Sequence, residues 1–359
     1  MLYNPNRATI LRRADSLTWS HPGFLDNFSI DSKLLALPVR CWTALLPGLF
    51  AAVLVTTGGA AADELKVVAT IKPIHSLVAQ VMGETGEPKL LVGGAASPHT
   101  YSLKPSDARA LNAAQVVFRV SEEIEPFTRK IVASLPKSVS VVTLADAPGL
   151  DLLDKRRGDT FEAHDHGDHH GHDHGHGHGH DDEHGKASVR DGHVWLDPQN
   201  AIAMVAEIAR ALSVAAPEHA TIFKANADKA VAEIEALSKD IAAELAPLKG
   251  KSFVVFHDAY QYFESRFGLT AAGAITVSPD VQPSAKRISE IRSKIKALGV
   301  ACVFAEPQFK SKLVATVIEG TGAKSGTLDP EGASVDPGVQ AYATLLRNLA
   351  QGLRSCLGT

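Results

Sequence analysis

Sixteen histidines stand in this chain, and ten of them crowd between His164 and His184 among glycines and aspartates. A neutral imidazole offers a lone pair to a divalent transition metal, and near its ordinary pKa of about 6.5 it also takes up a proton. Three further histidines border regular elements instead of lying inside an apolar face. His99 follows Ala95-Ala96-Ser97-Pro98, His193 opens His193-Val194-Trp195-Leu196-Asp197-Pro198, and His257 follows Phe253-Val254-Val255-Phe256. Three neutral imidazoles converging on one point would make a strong nitrogen set for Zn²⁺, which takes such ligands at about 2.0–2.1 Å and prefers four-coordination. A fourth ligand is then needed. Asp329, in Thr327-Leu328-Asp329-Pro330, is the carboxylate in the equivalent topological position, and water is the alternative.

These histidines must be positioned by elements far apart in the chain. Apolar, β-branched runs at 66–70, 89–92, 115–120 and 138–143 each lead into a segment with helical spacing, such as 73–82 or 105–113. The pattern stops at 151–192, a polar stretch of glycine, aspartate and histidine with too little apolar surface to order itself, which is expected to be a long mobile loop. Residues 198–245 carry helical spacing with one break at Ala216-Pro217, where proline can open a second helix. Strands are then expected at 252–256, 269–276, 299–305 and 325–328, with helices at 284–297, 311–320 and 338–353. The reading is an α/β protein of two βα-repeat lobes joined by a long rigid helix. Its divisions are an amino-terminal lobe at 63–197 that includes the loop, a helical region at 198–246 and a carboxy-terminal lobe at 247–359. Strand exits of open α/β sheets collect ligands, so a metal site in the cleft between the lobes is the expected meeting point.

The chain has 359 residues, 36 Lys+Arg against 40 Asp+Glu, a formal charge of −4 and 45% hydrophobic residues. That is ordinary globular composition without a cationic surface, so nucleic acid is not expected as a partner. The apolar run at 41–55 follows Lys33 and Arg40, is shorter than the ~20 residues of a membrane span, and gives way to Ala60-Ala61-Ala62. Residues 1–62 are therefore read as an upstream segment and a signal peptide cleaved near Ala62, with export to the periplasm. The segment before Lys33 is too long and charged for a signal, and a start at Leu34 or Val39 is expected. Cleavage leaves 31 basic and 37 acidic residues, a net −6. Cys41 departs with the signal. Cys302 and Cys356 remain as an even pair in an oxidising compartment, so a disulfide is expected, closing a loop of roughly 54 residues worth about 4 kcal/mol in the chain-entropy model.

Taken singly, a histidine at a strand exit is more often a hydrogen-bonded polar group than a ligand. What singles out these three is a resemblance carried by Ala96-Ser97-Pro98-His99-Thr100-Tyr101-Ser102-Leu103-Lys104-Pro105-Ser106-Asp107, His193-Val194-Trp195-Leu196-Asp197-Pro198, the stretches at 246–251 and 255–260, Phe304-Ala305-Glu306-Pro307-Gln308-Phe309 and Thr327-Leu328-Asp329-Pro330. In this order, over about residues 66–357, they resemble the zinc-binding ZnuA-type proteins of the metal-specific substrate-binding family that serves ABC importers. The resemblance implies Zn²⁺ binding by His99, His193 and His257. It also implies delivery to an inner-membrane ABC permease driven by a cytoplasmic ATPase, with a periplasmic zinc chaperone as a further partner and a monomeric protein. Members that favour manganese carry a carboxylate where this chain has His257, and imidazole in place of hard oxygen shifts preference toward zinc. Some zinc members carry Glu before the first histidine; here Pro98 stands there and cannot ligate, which leaves the fourth position to Asp329 or water. Asp197 and Asp258, beside the ligand motifs, either orient imidazole N–H groups or are solvated.

His164, His166, His169, His170, His172, His174, His176, His178, His180 and His184 are expected to form auxiliary sites weaker than the cleft, a collector or sensor of zinc, the alternative being a solvated spacer. His75 reads as an element-boundary or helix-face residue and His219 as part of a solvated first turn. Glu122-Glu123 and Asp181-Asp182-Glu183 read as surface charge. Two other functions use the same three histidines. Manganese transport is one. A secreted zinc hydrolase is the other, but no H-E-x-x-H pattern or nucleophile elbow accompanies the histidines. An adhesin role lacks an anchor.

Overall fold

Strands of a parallel sheet covered on both faces read as unbroken apolar runs, and Val67–Ile71 and Phe253–His257 are buried along their full length. The computed structural model describes residues 65–156, 161, 190–276, 278–279, 281–310 and 312–358. The expected signal peptide with its cleavage point, and the histidines from 164 to 184, lie outside these residues.

The first sheet comprises β1 (Val67–Ile71), β2 (Lys89–Val92), β3 (Val116–Arg119) and β4 (Ser140–Thr143) in the order β2-β1-β3-β4, parallel throughout. The second repeats the scheme with β5 (Phe253–His257), β6 (Ala271–Thr276), β7 (Cys302–Ala305) and β8 (Lys324–Thr327) in the order β6-β5-β7-β8. In each sheet the chain leaves its first strand to one side and returns to the other. This creates a topological switch point between the first and third strands of the sheet.

The helices are α1 (Lys72–Met82), α2 (Pro105–Ala113), α3 (Thr128–Ser134), α4 (Pro198–Ala215), α5 (Ala220–Leu245), α6 (Gln261–Phe267), α7 (Ala285–Ala297), α8 (Lys312–Ile318) and α9 (Ala341–Leu357). The break expected at Pro217 is a single 3₁₀ turn, Pro217–His219, between α4 and α5. The long helix expected between the lobes is α5, 26 residues or ~39 Å, and it packs with α4, α1 and α9 as a spine. Asp197 starts α4 by accepting a hydrogen bond from the Gln199 N–H at 2.8 Å, with Pro198 in the first helical position. The short helices α3 and α6 are not among the expected elements. The last helix lies further along the chain than the expected 338–353.

Alternate strand residues divide between two cores. Phe253, Val255, Cys302 and Phe304 join the large cluster formed by the first sheet and the spine, while Val254, Phe256, Val303 and Ala305 face a smaller cluster with Ile291, Ile295, Val314 and Val317 of α7 and α8. The Cys302–Cys356 disulfide ties β7 to α9, as expected. Against expectation, both described ends of the 151–192 stretch are fixed. Asp154 and Arg190 form an antiparallel bridge, and the Asp191 N–H donates to the Leu153 carbonyl at 2.9 Å.

Candidate metal centre

Three segments bring the histidines to one place. His99 sits on the 3₁₀ turn Pro98–Thr100 beyond β2. The chain after it is held by Asp107 in the first turn of α2, which accepts from the Tyr101 hydroxyl at 2.8 Å and from the Lys104 N–H at 2.9 Å. His193 leads into the turn Val194–Leu196 ahead of α4. That turn is pinned across the molecule: the Trp195 Nε1–H donates to the Pro330 carbonyl and the Tyr342 hydroxyl to the Trp195 carbonyl, each at 2.9 Å. His257 is the last residue of β5, at the switch point of the second sheet, where the chain leaving β7 supplies Glu306.

One imidazole nitrogen from each of His99, His193 and His257 lies within 4.8 Å of the other two. The ring centroids stand 5.6, 5.8 and 5.3 Å apart. His193 and His257 are buried and His99 is half-buried. Carboxylates stand behind His193 and His257. Asp191 Oδ1 lies 2.8 Å from His193 Nδ1 and accepts the His193 backbone N–H at 3.0 Å. The Glu306 oxygens lie 2.7 and 2.8 Å from His257 Nδ1. An ionised carboxylate only accepts, so each Nδ1 carries a hydrogen and each Nε2 is turned to the centre. The two Nε2 atoms are 3.3 Å apart. A tetrahedral ion bonded at about 2.0–2.1 Å to both would hold them roughly 3.3–3.4 Å apart, so the spacing is already that of a zinc coordination edge.

Two bare lone pairs at this distance repel, and a cation between them removes the conflict. Burial, then the neighbouring His257, hold the His193 imidazole well below its ordinary value. Burial also opposes charge on His257, but the Glu306 charge and hydrogen bond overcome it and raise its pKa. Without a metal, a proton on His257 donating to His193 Nε2 satisfies the pair. Burial pushes the Asp191 carboxyl up to about 6, against the His193 N–H that favours its ionised form.

The expected fourth protein ligand is not in this group. Asp329 Oδ1 accepts from Gln308 Nε2 at 2.8 Å and from the Glu331 N–H, and Oδ2 accepts from the Ser334 N–H. Neither flanking aspartate orients an imidazole. Asp197 caps α4 and pairs with Arg266 at 2.6 and 2.7 Å, and Asp258 pairs with Arg156. The residues that do orient the rings, Asp191 and Glu306, were assigned no role from the sequence. The signals were present: Asp191 lies two residues before His193, and Glu306 stands inside Phe304-Ala305-Glu306-Pro307. His75 is buried in α1 with its Nε2 2.8 Å from the Pro88 carbonyl, and His219 packs its ring against Phe223. Glu122 pairs with Arg129 at the surface, but Glu123 pairs with Lys155 at 2.5 Å beside the imidazoles. The three rings open onto a cavity of about 110 Å³ also lined by Glu123, Lys155, Arg156, Asp191 and Asp258.

The family profile described as "ZnuA: Zinc-uptake complex component A periplasmic" matches residues 67–356. The chain is 51% identical over 304 residues to the high-affinity zinc uptake system protein ZnuA of Brucella abortus, covering 81% of this chain and 91% of that protein. It is 41% identical over 305 residues to the protein of the same name from Paracoccus denitrificans, covering 83% and 94%. A crystal structure of ZnuA superposes with a TM-score of 0.65 at 23% identity, over 82% of this chain and 99% of that one, which shows the same fold.

Proposed function

The chain belongs to the ZnuA family of periplasmic zinc-uptake components, and from that premise we propose that it captures Zn²⁺ through His99, His193 and His257 and hands it to an ABC importer. The ion is cargo, carried to a permease powered by an ATPase. The 3.3 Å separation of the inward Nε2 atoms, with the third imidazole nitrogen inside the same 4.8 Å group, carries this reading. Nitrogen ligands without a carboxylate favour zinc over manganese. Water takes the fourth position, since Asp329 is engaged by Gln308.

Among the described residues, the carboxylates beside the cavity are committed to partners. Asp191 and Glu306 hold imidazoles, Asp258 holds Arg156 and Glu123 holds Lys155. That disfavours hydrolysis, which needs a carboxylate free to activate the metal-bound water. Cleavage near Ala62, action as a monomer, a chaperone as zinc donor and a collector role for the histidines of 164–184 complete the reading.

Competition titration of Zn²⁺ against Mn²⁺ tests it, on the native chain, on His257→Ala and on a chain lacking residues 164–184. One tight zinc site is expected, abolished in His257→Ala and kept in the deletion. A tight site that survives His257→Ala, or vanishes with residues 164–184, would overturn the assignment.

A further inference from the structure

Arg156 stands at the edge of the three-imidazole cavity, its charge spent on two carboxylates of the second lobe. Its Nη1 and Nη2 donate to Glu264 Oε2 and Oε1 at 2.8 and 3.0 Å. Its Nε reaches Asp258 Oδ1 and Oδ2 at 3.0 and 3.2 Å, and Nη2 makes a further short contact to Asp258 Oδ1. Glu264 is anchored independently, because its Oε2 also accepts the Ala271 N–H at 2.7 Å at the start of β6. The Phe161 ring covers the guanidinium at 4.1 Å. The arginine is thus held from behind, and its other edge holds Asp258.

Asp258 adjoins His257 in the chain and lines the same cavity as the three imidazoles. That carboxylate therefore shares a cavity lining with all three rings, yet it lies outside the ligand group. A carboxylate held bidentately by a guanidinium has few lone pairs left for a metal. Resting on the zinc-capture reading above, we propose that Arg156 is a positioning residue that sets metal choice by keeping the Asp258 carboxylate out of the coordination sphere. It thereby preserves an all-imidazole protein set. Hard carboxylate oxygen favours manganese more than imidazole does, and an added negative charge tightens every divalent ion. Withholding Asp258 therefore lowers absolute affinity, makes zinc easier to release and widens the gap between zinc and manganese.

The test compares Arg156→Gln with the double variant Arg156→Gln/Asp258→Asn in the chain lacking residues 164–184, using Zn²⁺, Mn²⁺ and Co²⁺ as probes. Arg156→Gln is expected to bind Mn²⁺ roughly tenfold or more tightly than its parent, the scale on which groups behind the ligands move metal affinity. Its Zn²⁺ release should slow and its Co²⁺ absorption bands should move as carboxylate replaces water. The double variant should return all three toward the parent. A merely structural arginine gives the opposite sign, weaker binding of every metal that Asp258→Asn does not restore. An unchanged Mn²⁺ affinity, or a gain that persists in the double variant, would overturn the inference. If Arg156→Gln fails to fold, Arg156→Lys keeps the charge but not the two-edged grip, and a smaller gain of the same sign is required of it. Loss of zinc binding by the parent in His257→Ala secures the capture reading separately, so failure of one is distinguishable from failure of the other.

Discussion

Replacing Glu306 with Gln changes one charge and almost no volume in a wholly buried position. Both Glu306 oxygens lie within 2.8 Å of His257 Nδ1, and Oε1 also faces the His257 backbone N–H at 3.4 Å. A glutamine amide keeps one acceptor oxygen, so the ring retains a neutral hydrogen bond and loses the charged one. A hydrogen bond to a charged group contributes about 1.5–3 kcal/mol and a neutral one about 0.5–1.5, so the expected loss is about 1–2 kcal/mol. That is roughly 5- to 30-fold in zinc Kd. The sign with pH follows from His257, whose pKa the carboxylate raises against burial. In the native protein a proton therefore competes with zinc, and more strongly as the pH falls. Glu306→Gln leaves burial opposed only by the weaker pull of Asp258 and Asp191, which shifts the balance toward the neutral ring and eases that competition. The affinity gap between native and variant should be widest near pH 8 and narrow toward pH 6. Competition against a fluorescent chelator at three pH values, in the chain lacking residues 164–184, measures both features. A loss below twofold at pH 8, or a gap constant with pH, would refute the claim that Glu306 orients and charges this ring.

Three further outcomes test the surrounding frame. Glu125 is buried at the switch point of the first sheet, accepting from the Thr70 hydroxyl and the Val120 and Ser121 N–H groups, and burial pushes its carboxyl up to about 7. With the folded value above an unfolded value of about 4.3, its contribution to stability is full below that pH and is lost as pH rises through about 7. Glu125→Gln should flatten stability between pH 5 and 8 in urea titrations, and an unaltered slope would contradict this. Trp195→Phe leaves the buried Pro330 carbonyl without its indole donor and should cost about 1–3 kcal/mol by the same titration, whereas a neutral result would mean that the pin across the lobes carries no energy. Cys302→Ser/Cys356→Ser should lose up to about 4 kcal/mol, the chain-entropy value for a 54-residue separation, while keeping the tight zinc site, because the bond ties β7 to α9 away from the imidazoles.

Much of this architecture was legible because parallel strands and their helices leave strong local patterns. The runs at 89–92 and 105–113 coincide with β2 and α2, the second because a proline in its first turn declares where the helix opens. The expected strands start one to three residues ahead of β5, β6 and β7, and among those residues the Ala301 N–H donates to the Ser252 carbonyl at 3.2 Å, one bond beyond the strands themselves. Strand exits and motif order point to the three histidines that the fold brings within one group. Asp329 or water is the fourth ligand expected from the sequence, since a carboxylate after the last strand occupies the right place in the topology, but topology does not reveal that Asp329 accepts from Gln308 and two backbone N–H groups. Asp197 and Asp258 are, by nearness in sequence, either orienting groups for the imidazoles or solvated, and in the fold they pair with Arg266 and Arg156 instead. Nearness along the chain is a poor guide at a switch point, where His257 ending β5 finds its carboxylate 49 residues away, after β7.

The three imidazoles differ in burial and in the elements that carry them, and this bears on how a protein with a stiff spine gives up its cargo. His193 and His257 are 6% and 4% exposed, and each has a carboxylate behind its Nδ1. His257 belongs to a central strand, and the turn after His193 is bonded to the second lobe through Trp195 and Tyr342. Moving either ring disturbs a buried charged hydrogen bond, at a cost of several kcal/mol if the partner is left buried and unpaired. His99 is half-buried on a single 3₁₀ turn that follows the exposed Gly93-Gly94 pair, and Gly94 has a positive φ of 65° with open space around it. Glycine tolerates both signs of φ, so this stretch can change path at little steric cost. With α1, α4, α5 and α9 packed between the sheets, a large rotation of the lobes would break a continuous core. Local withdrawal of His99 would leave that core intact and, with zinc held as proposed, would reduce three nitrogen ligands to two, so the least costly route out of the site begins at the imidazole whose loop is least buried.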